Sequence, residues 1–563
     1  MLRAQDVFLL GGSASTDPQV EAFTAHPLTP AAGFQAGAGS FLVLSTPNGG
    51  SFYTIANSAT QPVTVTNSSF GTTNSPASFT QAPTAAVITP DGTKLAVAAG
   101  KLYVFDTSSN NELVSGGISV ANGANIIDVA VSLDGKSYFT LATLSGGGSQ
   151  LNSINTATNT ITGTLGVLGT ATGVTVGPNN LVYVSTINQI LEVNPLTLTT
   201  TSGGVTSLNA SPTKPVITPD GKFLLVGNLT PVTGSSLILI SLATHAIAAT
   251  FPDALNFPFI RFLVLGANEI LGATSQGQGY YMINPNNGGP IAVQGFSLPG
   301  VAAAITGAAV SDEVGAGPRN TAETLFAATG ATLYSYDLPT NTVTANQTAT
   351  DSNLGGAVSF AGAASTGTQP STLLGYGVNQ TVATGGVSLP LVAQALDSTG
   401  RPVYGATITF TPNSGAISVS PKSAVTGANG YAVTYVTASN TTGSTSVVAA
   451  SGAAQVGYTI NVGTLTGGGG SVGDIVTIVA GQGQLISGDN NTTMTGYSPL
   501  TVQITNSSGD AVPGAAVTFA ITSGGGMLSP ASGFSSSATV GKAPGSYVIT
   551  ADSNGEAAVN YFA

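Results

Sequence analysis

The side chains able to do acid–base or ligand chemistry are few. The chain has two histidines, His26 and His245, no cysteine, and arginine only at positions 3, 261, 319 and 401. A histidine acting as general acid or base needs a positioned neighbour, and neither imidazole has one in a local motif. His245 follows "LISLAT" at a strand end, where it reads as a turn residue. A cationic site would depend mainly on Arg261 or Arg319. Asp91, Asp134 and Asp220 stand singly in turns and read as carboxylates capping their own backbone. No EF-hand spacing, HExxH motif or histidine cluster is written anywhere. The four glycines at 467–470 lack the Gly-Lys-Ser/Thr ending of a phosphate loop. The expectation is no catalytic residue, no cofactor-binding residue, no metal ligand and no cofactor.

Whatever such a chain does must then lie in the elements that carry these residues. It has 563 residues, 42% of them hydrophobic, enough for about three or four domains with cores of their own. Only 6% are charged, against roughly 25% in an average soluble protein, so the solvent face is built from Ser, Thr, Asn, Gln and Gly. With a net charge of -12 and eleven basic residues, no Lys/Arg run can neutralise a phosphate backbone, which excludes nucleic acid as a partner. No stretch reaches 18 uninterrupted apolar residues, so no membrane span is expected. Absence of cysteine suits a bacterial exported protein that folds without oxidation. The start, "MLRAQDVFLLGGSAS", carries Asp6 and too short an apolar run for a signal peptide; either a signal has been removed or Met1 is not the natural start.

Two stretches are almost the same: "VITPDGTKLAVAAGK" at 87–101 and "VITPDGKFLLVGNLT" at 216–230. Each is a strand, a tight turn and a second strand, because Pro presets the turn dihedral and Asp-Gly supplies the positive φ. "FLVLSTPNGGSFYTIANS" from 41, "VAVSLDGKSYFTLAT" from 129 and "VTVGPNNLVYVST" from 174 keep the turn chemistry, with weaker copies from 262 and 323. Third strands follow and end on turns: "KLYVFDTSSN", "QILEVNPLT", "LILISLATH", "GYYMINPNN", "LYSYDLPTN". The turn markers recur every 41 to 55 residues or so, the spacing of a four-stranded propeller blade. Seven complete units start near 41, 84, 127, 172, 214, 258 and 302; the N-terminal strands lack a first strand, and "GGAVSFAG" at 355–362 is an inner strand alone. If the two fragments share a sheet, with 7–10 beside 357–360, the ring closes with eight blades; otherwise it has seven. Tyr103, Tyr183, Tyr334 and Tyr336 alternate along strands, where packing between blades accounts for them better than stacking on sugars.

The units, with "TPDG", "VFDTSSN" and "SINTATN", resemble the YVTN-type, lactonase-like β-propeller repeats of bacterial surface proteins, over roughly residues 5 to 365. The resemblance implies a fold and hardly a function. Lactonases of this kind use an acidic, His and Arg cluster at the channel mouth, and none of their local motifs can be placed here.

After residue 370 a second repeat begins. "PLVAQALDSTGRPVYGATITF" at 390–410 matches "PLTVQITNSSGDAVPGAAVTF" at 499–519 with a constant offset of 109. Both copies run on to "NGYAVTYVTA" and "NGEAAVNYFA". Alternating strands with Ser-Gly and Asn-Gly turns read as antiparallel β-sandwiches, and the pattern is similar to bacterial Ig-like domains of the invasin/intimin type. The division expected is a propeller at 1–365, a first Ig-like domain at 371–463, a glycine-rich flexible linker at 464–474 and a second Ig-like domain at 475–563, with 363–372 joining propeller to sandwich. The first copy has about 25 residues after its "YVTA" strand that the second lacks. Either the natural chain continues beyond Ala563, or a neighbouring molecule supplies the strand.

The fold class expected is thus all-β. The function expected is that of an exported bacterial structural or cell-surface protein, extracellular, partnered by itself as a homo-oligomer or filament, by a surface glycan or by another cell-surface protein. The rival readings are a propeller lactonase or lyase and a glycan-binding adhesin.

Overall fold

The computed structural model describes residues 5–11, 20–25, 27–67, 72–74, 79–120, 124–167, 169–208, 212–218, 222–227, 235–242, 245–252, 259–266, 269–274, 277–283, 290–295, 307–310, 324–337, 342–350, 352, 354–362, 365–366, 369–398, 400–463, 475–480, 499–505, 512, 515–520, 527–531, 535–537, 546–552 and 555–562. Among these every regular element is a strand, and no helix is long and apolar enough to cross a membrane.

The repeated turn explains the repeated letters. In the second unit the Thr89 hydroxyl donates to Asp91 Oδ1 (2.6 Å) and accepts from the Lys94 amide (3.0 Å), while Asp91 Oδ1 accepts from the Thr93 amide (3.0 Å). Gly92 takes φ 73° and returns its N–H to the Thr89 carbonyl. Thr46 with Asn48, and Ser132 with Asp134, repeat this arrangement. Residues 219–221 lie outside the described set, but Thr218 still accepts from the Phe223 amide at 3.0 Å.

The third strands end on a second motif at the same edge of the sheet. Asp106, Asn155 and Asn194 accept backbone N–H groups two residues on. Four residues after Asp106, Asn155, Asn194 and, in the fifth unit, Ser241 the backbone turns left-handed, at Asn110 (φ 57°), Asn159 (56°), Leu198 (53°) and His245 (52°). Thr107 and Thr156 donate to the carbonyls of Gly92 and Gly135. Both turns of a unit are thereby tied together at one face.

Among the described residues, eight antiparallel sheets follow one another. Seven are built from consecutive strands whose innermost members are Ser40–Ser45, Ala85–Ile88, Asn125–Val131, Ala171–Val176, Val216–Ile217, Phe259–Gly266 and Gly307–Val310. The eighth joins Thr29–Phe34, Val20–Thr24 and Gln5–Gly11 to Leu354–Gly362, pairing Val7 with Phe360 and Leu10 with Ala357, as the two sequence fragments predict. Its inner strand packs on both the Gly307–Val310 and Ser40–Ser45 strands, so the sheets form a ring, and the fold is a β-propeller. Polar links help fasten the closing sheet. The Ser359 hydroxyl accepts from Val43 N and donates to Val43 O, and buried Glu21 accepts from the Thr350 amide and hydroxyl. Apolar clusters fill the spaces between neighbouring sheets, for example Phe8, Leu10 and Val20 against Val43 and Phe52.

Residues 372–463 form two packed sheets. One has the order Thr372–Tyr376, Leu391–Leu396, Tyr431–Ala438, Ile417–Ser420; the other Asn379–Ala383, Ala454–Gly463, Gly443–Ser451, Thr407–Pro412, Ser423–Val425. Leu391, Ile408, Phe410, Val436, Tyr458 and Ile460 share the core between them. The expected connector does more than join, since Ser365–Thr366 pairs in parallel with Val403–Tyr404. In residues 475–562 the first sheet recurs strand for strand, as Ile475–Ala480, Leu500–Thr505, Glu556–Phe562, Met527–Pro530. The second sheet has, among the described residues, Ala516–Ala520, Ser546–Thr550 and Ser535–Ser537. The glycine run at 467–470 lies outside the described residues.

Candidate functional site

The turn face of the propeller carries the densest chemistry. Successive turns touch: a Cβ on Gly92 would sit 2.1 Å from Pro47 Cδ, and one on Gly135 3.3 Å from Pro90 Cδ. In the fourth blade buried Asn180 continues the chain of contacts by accepting the Leu133 amide at 2.8 Å. The first sandwich sits on these turns. Ala428 donates its N–H to the Pro90 carbonyl (2.7 Å), the Tyr404 hydroxyl donates to the Asp91 carbonyl (3.2 Å), and Asn180 Nδ2 makes a long contact to the Tyr435 hydroxyl (3.5 Å). Leu133 and Val176 pack with Val392, Val433, Tyr376, Tyr431 and Tyr435. Burial, with the charge of Asp134 nearby, raises the Tyr435 pKa.

This seam explains a difference between the two sandwich copies. In the first, the strand Tyr431–Ala438 is apolar on both faces: Ala432 and Val436 enter the core, while Tyr431, Val433 and Tyr435 meet the propeller. Aligned through the Asn-Gly turns, the second copy has Glu556, Ala558 and Asn560 at those three outward positions. A face rewritten in aromatic and branched side chains is the one that docks, because a soluble sheet otherwise keeps its outer face polar.

Among the described residues, the buried carboxylates Asp128 and Glu192 each face a basic partner in the ring. Asp128, on an inner strand, accepts the Val174 amide of the next blade (2.9 Å) and pairs with Lys214 Nζ (2.7 Å), just before the fifth inner strand. One carboxylate thus ties three blades together. The other cluster joins the fourth and fifth blades. Glu192 Oε2 accepts from the Tyr183 hydroxyl (2.8 Å) and lies 3.2 Å from His245 Nε2; Oε1 accepts from Thr201 (2.5 Å). Asn179 donates to the Tyr183 hydroxyl, and Thr206 donates to the His245 carbonyl. The His245 contact is a charge pair rather than an aligned hydrogen bond. Burial opposes charge on the imidazole, but Glu192 outweighs it and the His245 pKa is raised; burial likewise opposes the carboxylate, whose partners bring the Glu192 pKa below its usual value.

His245 is therefore a turn residue, as the sequence implies, and also the half-buried partner of buried Glu192 in an ion pair. His26, Arg319 and Asp220 lie outside the described residues; Arg261 stands on the sixth inner strand, in register with Ala273. Asp91 and Asp134 cap their own turns. Tyr103 and Tyr183 are buried between strands, Tyr103 stacked on Phe79 at 4.0 Å, and Tyr334 is half-buried. Sequence reasoning missed Asp128, Lys214 and Glu192. The signal available for the two acids was a lone charge inside apolar strands, "NIIDVAV" and "QILEV", in a chain that is only 6% charged. Among the described residues no three His, Asp or Glu side chains gather as a metal site.

No protein-family model matches the chain, and no curated protein matches it. Solved structures similar to it include the dihydro-heme d1 dehydrogenase NirN, at 12% identity over 62% of this chain and 74% of that one (TM-score 0.47). Also similar are AztD from Citrobacter koseri, at 12% identity over 64% and 98% (0.45), and the C-terminal WD40 domain of Sif2, at 12% over 57% and 90% (0.42).

Proposed function

We propose that this is an exported bacterial structural or cell-surface protein, a YVTN-type propeller head held on Ig-like modules, that joins to further copies of itself by strand donation. The sparsely charged surface supports this, because with only 6% of residues charged little long-range repulsion opposes assembly. So does the docked first sandwich, which makes head and first module one unit. The observation that carries the reading is the edge of Ala516–Ala520. Its counterpart Thr407–Pro412 pairs on one side with Ser423–Val425 and on the other with Gly443–Ser451. Among the described residues Ala516–Ala520 pairs with Ser546–Thr550 alone. Correspondingly Ile408 and Phe410 are 0% and 1% exposed, whereas Val517 and Phe519 at the same registers are only partly buried.

An added strand would restore the missing hydrogen bonds and cover those side chains, and head-to-tail addition propagates when the rotation does not close. The test is light scattering and electron microscopy of the full chain at about 100 μM, a concentration that populates any contact of micromolar affinity. Polymers are expected. Thr518→Pro removes an amide on the open side of the strand, since the pairing Ala551 N–H to Ala515 O places the alternate residues on the Ser546–Thr550 side. That variant should stay monomeric with an unchanged far-ultraviolet spectrum. A monodisperse wild-type monomer, or polymers undiminished by Thr518→Pro, would refute self-assembly.

A further inference from the structure

We propose that a cleft beside the propeller–sandwich seam binds a short neutral saccharide. Thr407–Pro412 is flanked by Gly443–Ser451 only from Thr409 onward, where Thr409 faces Ala450. Ahead of that point the strand opens into a cleft of about 490 Å³, lined by Gln369, Tyr404, Thr407, Thr409 and Ser451 together with small residues. Two glycines keep it open. Gly405 (φ +78°) has nothing within 4 Å of where a Cβ would stand, and a Cβ on Gly452 (φ +59°) would meet Gln369 Oε1 at 2.9 Å.

The lining decides the ligand class. Thr407, Thr409 and Ser451 bring three hydroxyls to the lining and Gln369 an amide, groups able both to donate and to accept, as a polyol requires. None of the lining residues is a carboxylate or an ammonium, so a phosphate or sugar acid would meet no counter-charge. An apolar ligand would strip water from the hydroxyls and return nothing. Tyr404 is the one aromatic residue of the lining, the kind of side chain on which the C–H face of a sugar ring can stack. Its hydroxyl is already fixed by the Asp91 carbonyl, so the ring is held in place before a ligand arrives and little side-chain freedom is lost on binding. The volume lies within the range of small-molecule sites and suits about two or three rings. The neutral face continues outward along exposed Thr411.

This inference is independent of self-assembly. The experiment is calorimetric titration of the full chain with maltotriose, cellotriose and triacetylchitotriose, with inorganic phosphate and decanoate as charged and apolar comparators. Saturable binding of at least one trisaccharide, and of neither comparator, is expected. Thr407→Trp fills the cleft from an exposed position and should weaken binding by about tenfold or more. Tyr404→Ala should do the same, while Tyr404→Phe keeps the ring and most of the affinity. Gln369→Leu removes the amide with little change in bulk, giving a readout should Thr407→Trp fold poorly. Thr518→Pro should bind sugar like the wild type, which separates this site from the assembly edge. No saturable trisaccharide binding at about 10 mM, preference for phosphate or decanoate, or undiminished affinity in Tyr404→Ala and Gln369→Leu would overturn the proposal.

Discussion

Glu192→Ala is expected to lower the unfolding free energy at pH 6 by about 3 kcal/mol, the low end for removing one partner of a buried ion pair, because Glu192 is buried and His245 only half-buried. The loss has three parts. The hydroxyls of Tyr183 and Thr201 lose their acceptor, and half-buried His245 is left without its counter-charge. Urea denaturation measures it, and a loss below about 1 kcal/mol would show that water replaces the carboxylate. The pair also sets a pH profile. His245 has a raised pKa, so its contribution is complete below the ordinary value of 6.5 and is lost as pH rises through the folded value. Glu192 has a lowered pKa, so its contribution is present above the ordinary 4.5 and is lost as pH falls through its folded value. The wild-type pair contributes most between these two ordinary values. His245→Gln should flatten the alkaline limb of the stability curve; a limb as steep as the wild type's would assign it to other groups.

Gly427→Val is expected to separate the first sandwich from the propeller without unfolding either. A Cβ there would stand 2.3 Å from Pro90 Cβ and 3.0 Å from the Pro90 carbonyl oxygen, and the Ala428 bond to that oxygen would be lost with the displacement. The backbone of Gly427 is outside the left-handed region, so the cost of a side chain there falls mainly on the contact with Pro90. Scanning calorimetry should show one transition becoming two, and small-angle scattering should show a radius of gyration larger by roughly 3 Å. A single transition with unchanged dimensions would mean that Leu133, Val433 and Tyr435 hold the seam without the Pro90 contact.

The features legible in the sequence are those encoded within a few residues. Thr89, Asp91 and Gly92 specify their turn by local hydrogen bonds and one positive φ, so the same letters mark it wherever it recurs. The closing sheet was legible because its two fragments each lacked what the other supplied. The pair of Glu192 and His245 was not, because it spans two blades, and a charge inside a strand carries no mark of its partner. The seam left a trace that is easy to overlook. "YAVTYV" departs from the apolar–polar alternation of a half-exposed strand, and the second copy, "EAAVNY", supplies the contrast. The cleft beside Tyr404 leaves no trace of this kind, since threonine, serine and glutamine are the ordinary surface of this chain.

The closing sheet also dictates the order in which the molecule can be made. The contact of Glu21 with Thr350 joins residues 329 apart, and that of Ser359 with Val43 joins residues 316 apart. Hairpins within each blade need only local search, whereas this last pairing must find its ends across nearly the whole head. Synthesis at about 5–20 residues per second leaves the early strands waiting for tens of seconds with their backbone edges unsatisfied. During that interval the strand Gln5–Gly11 is open to pairing with any other nascent chain. Its apolar run from Val7 to Leu10 is thus the point where a holding chaperone would most affect the yield of closed rings.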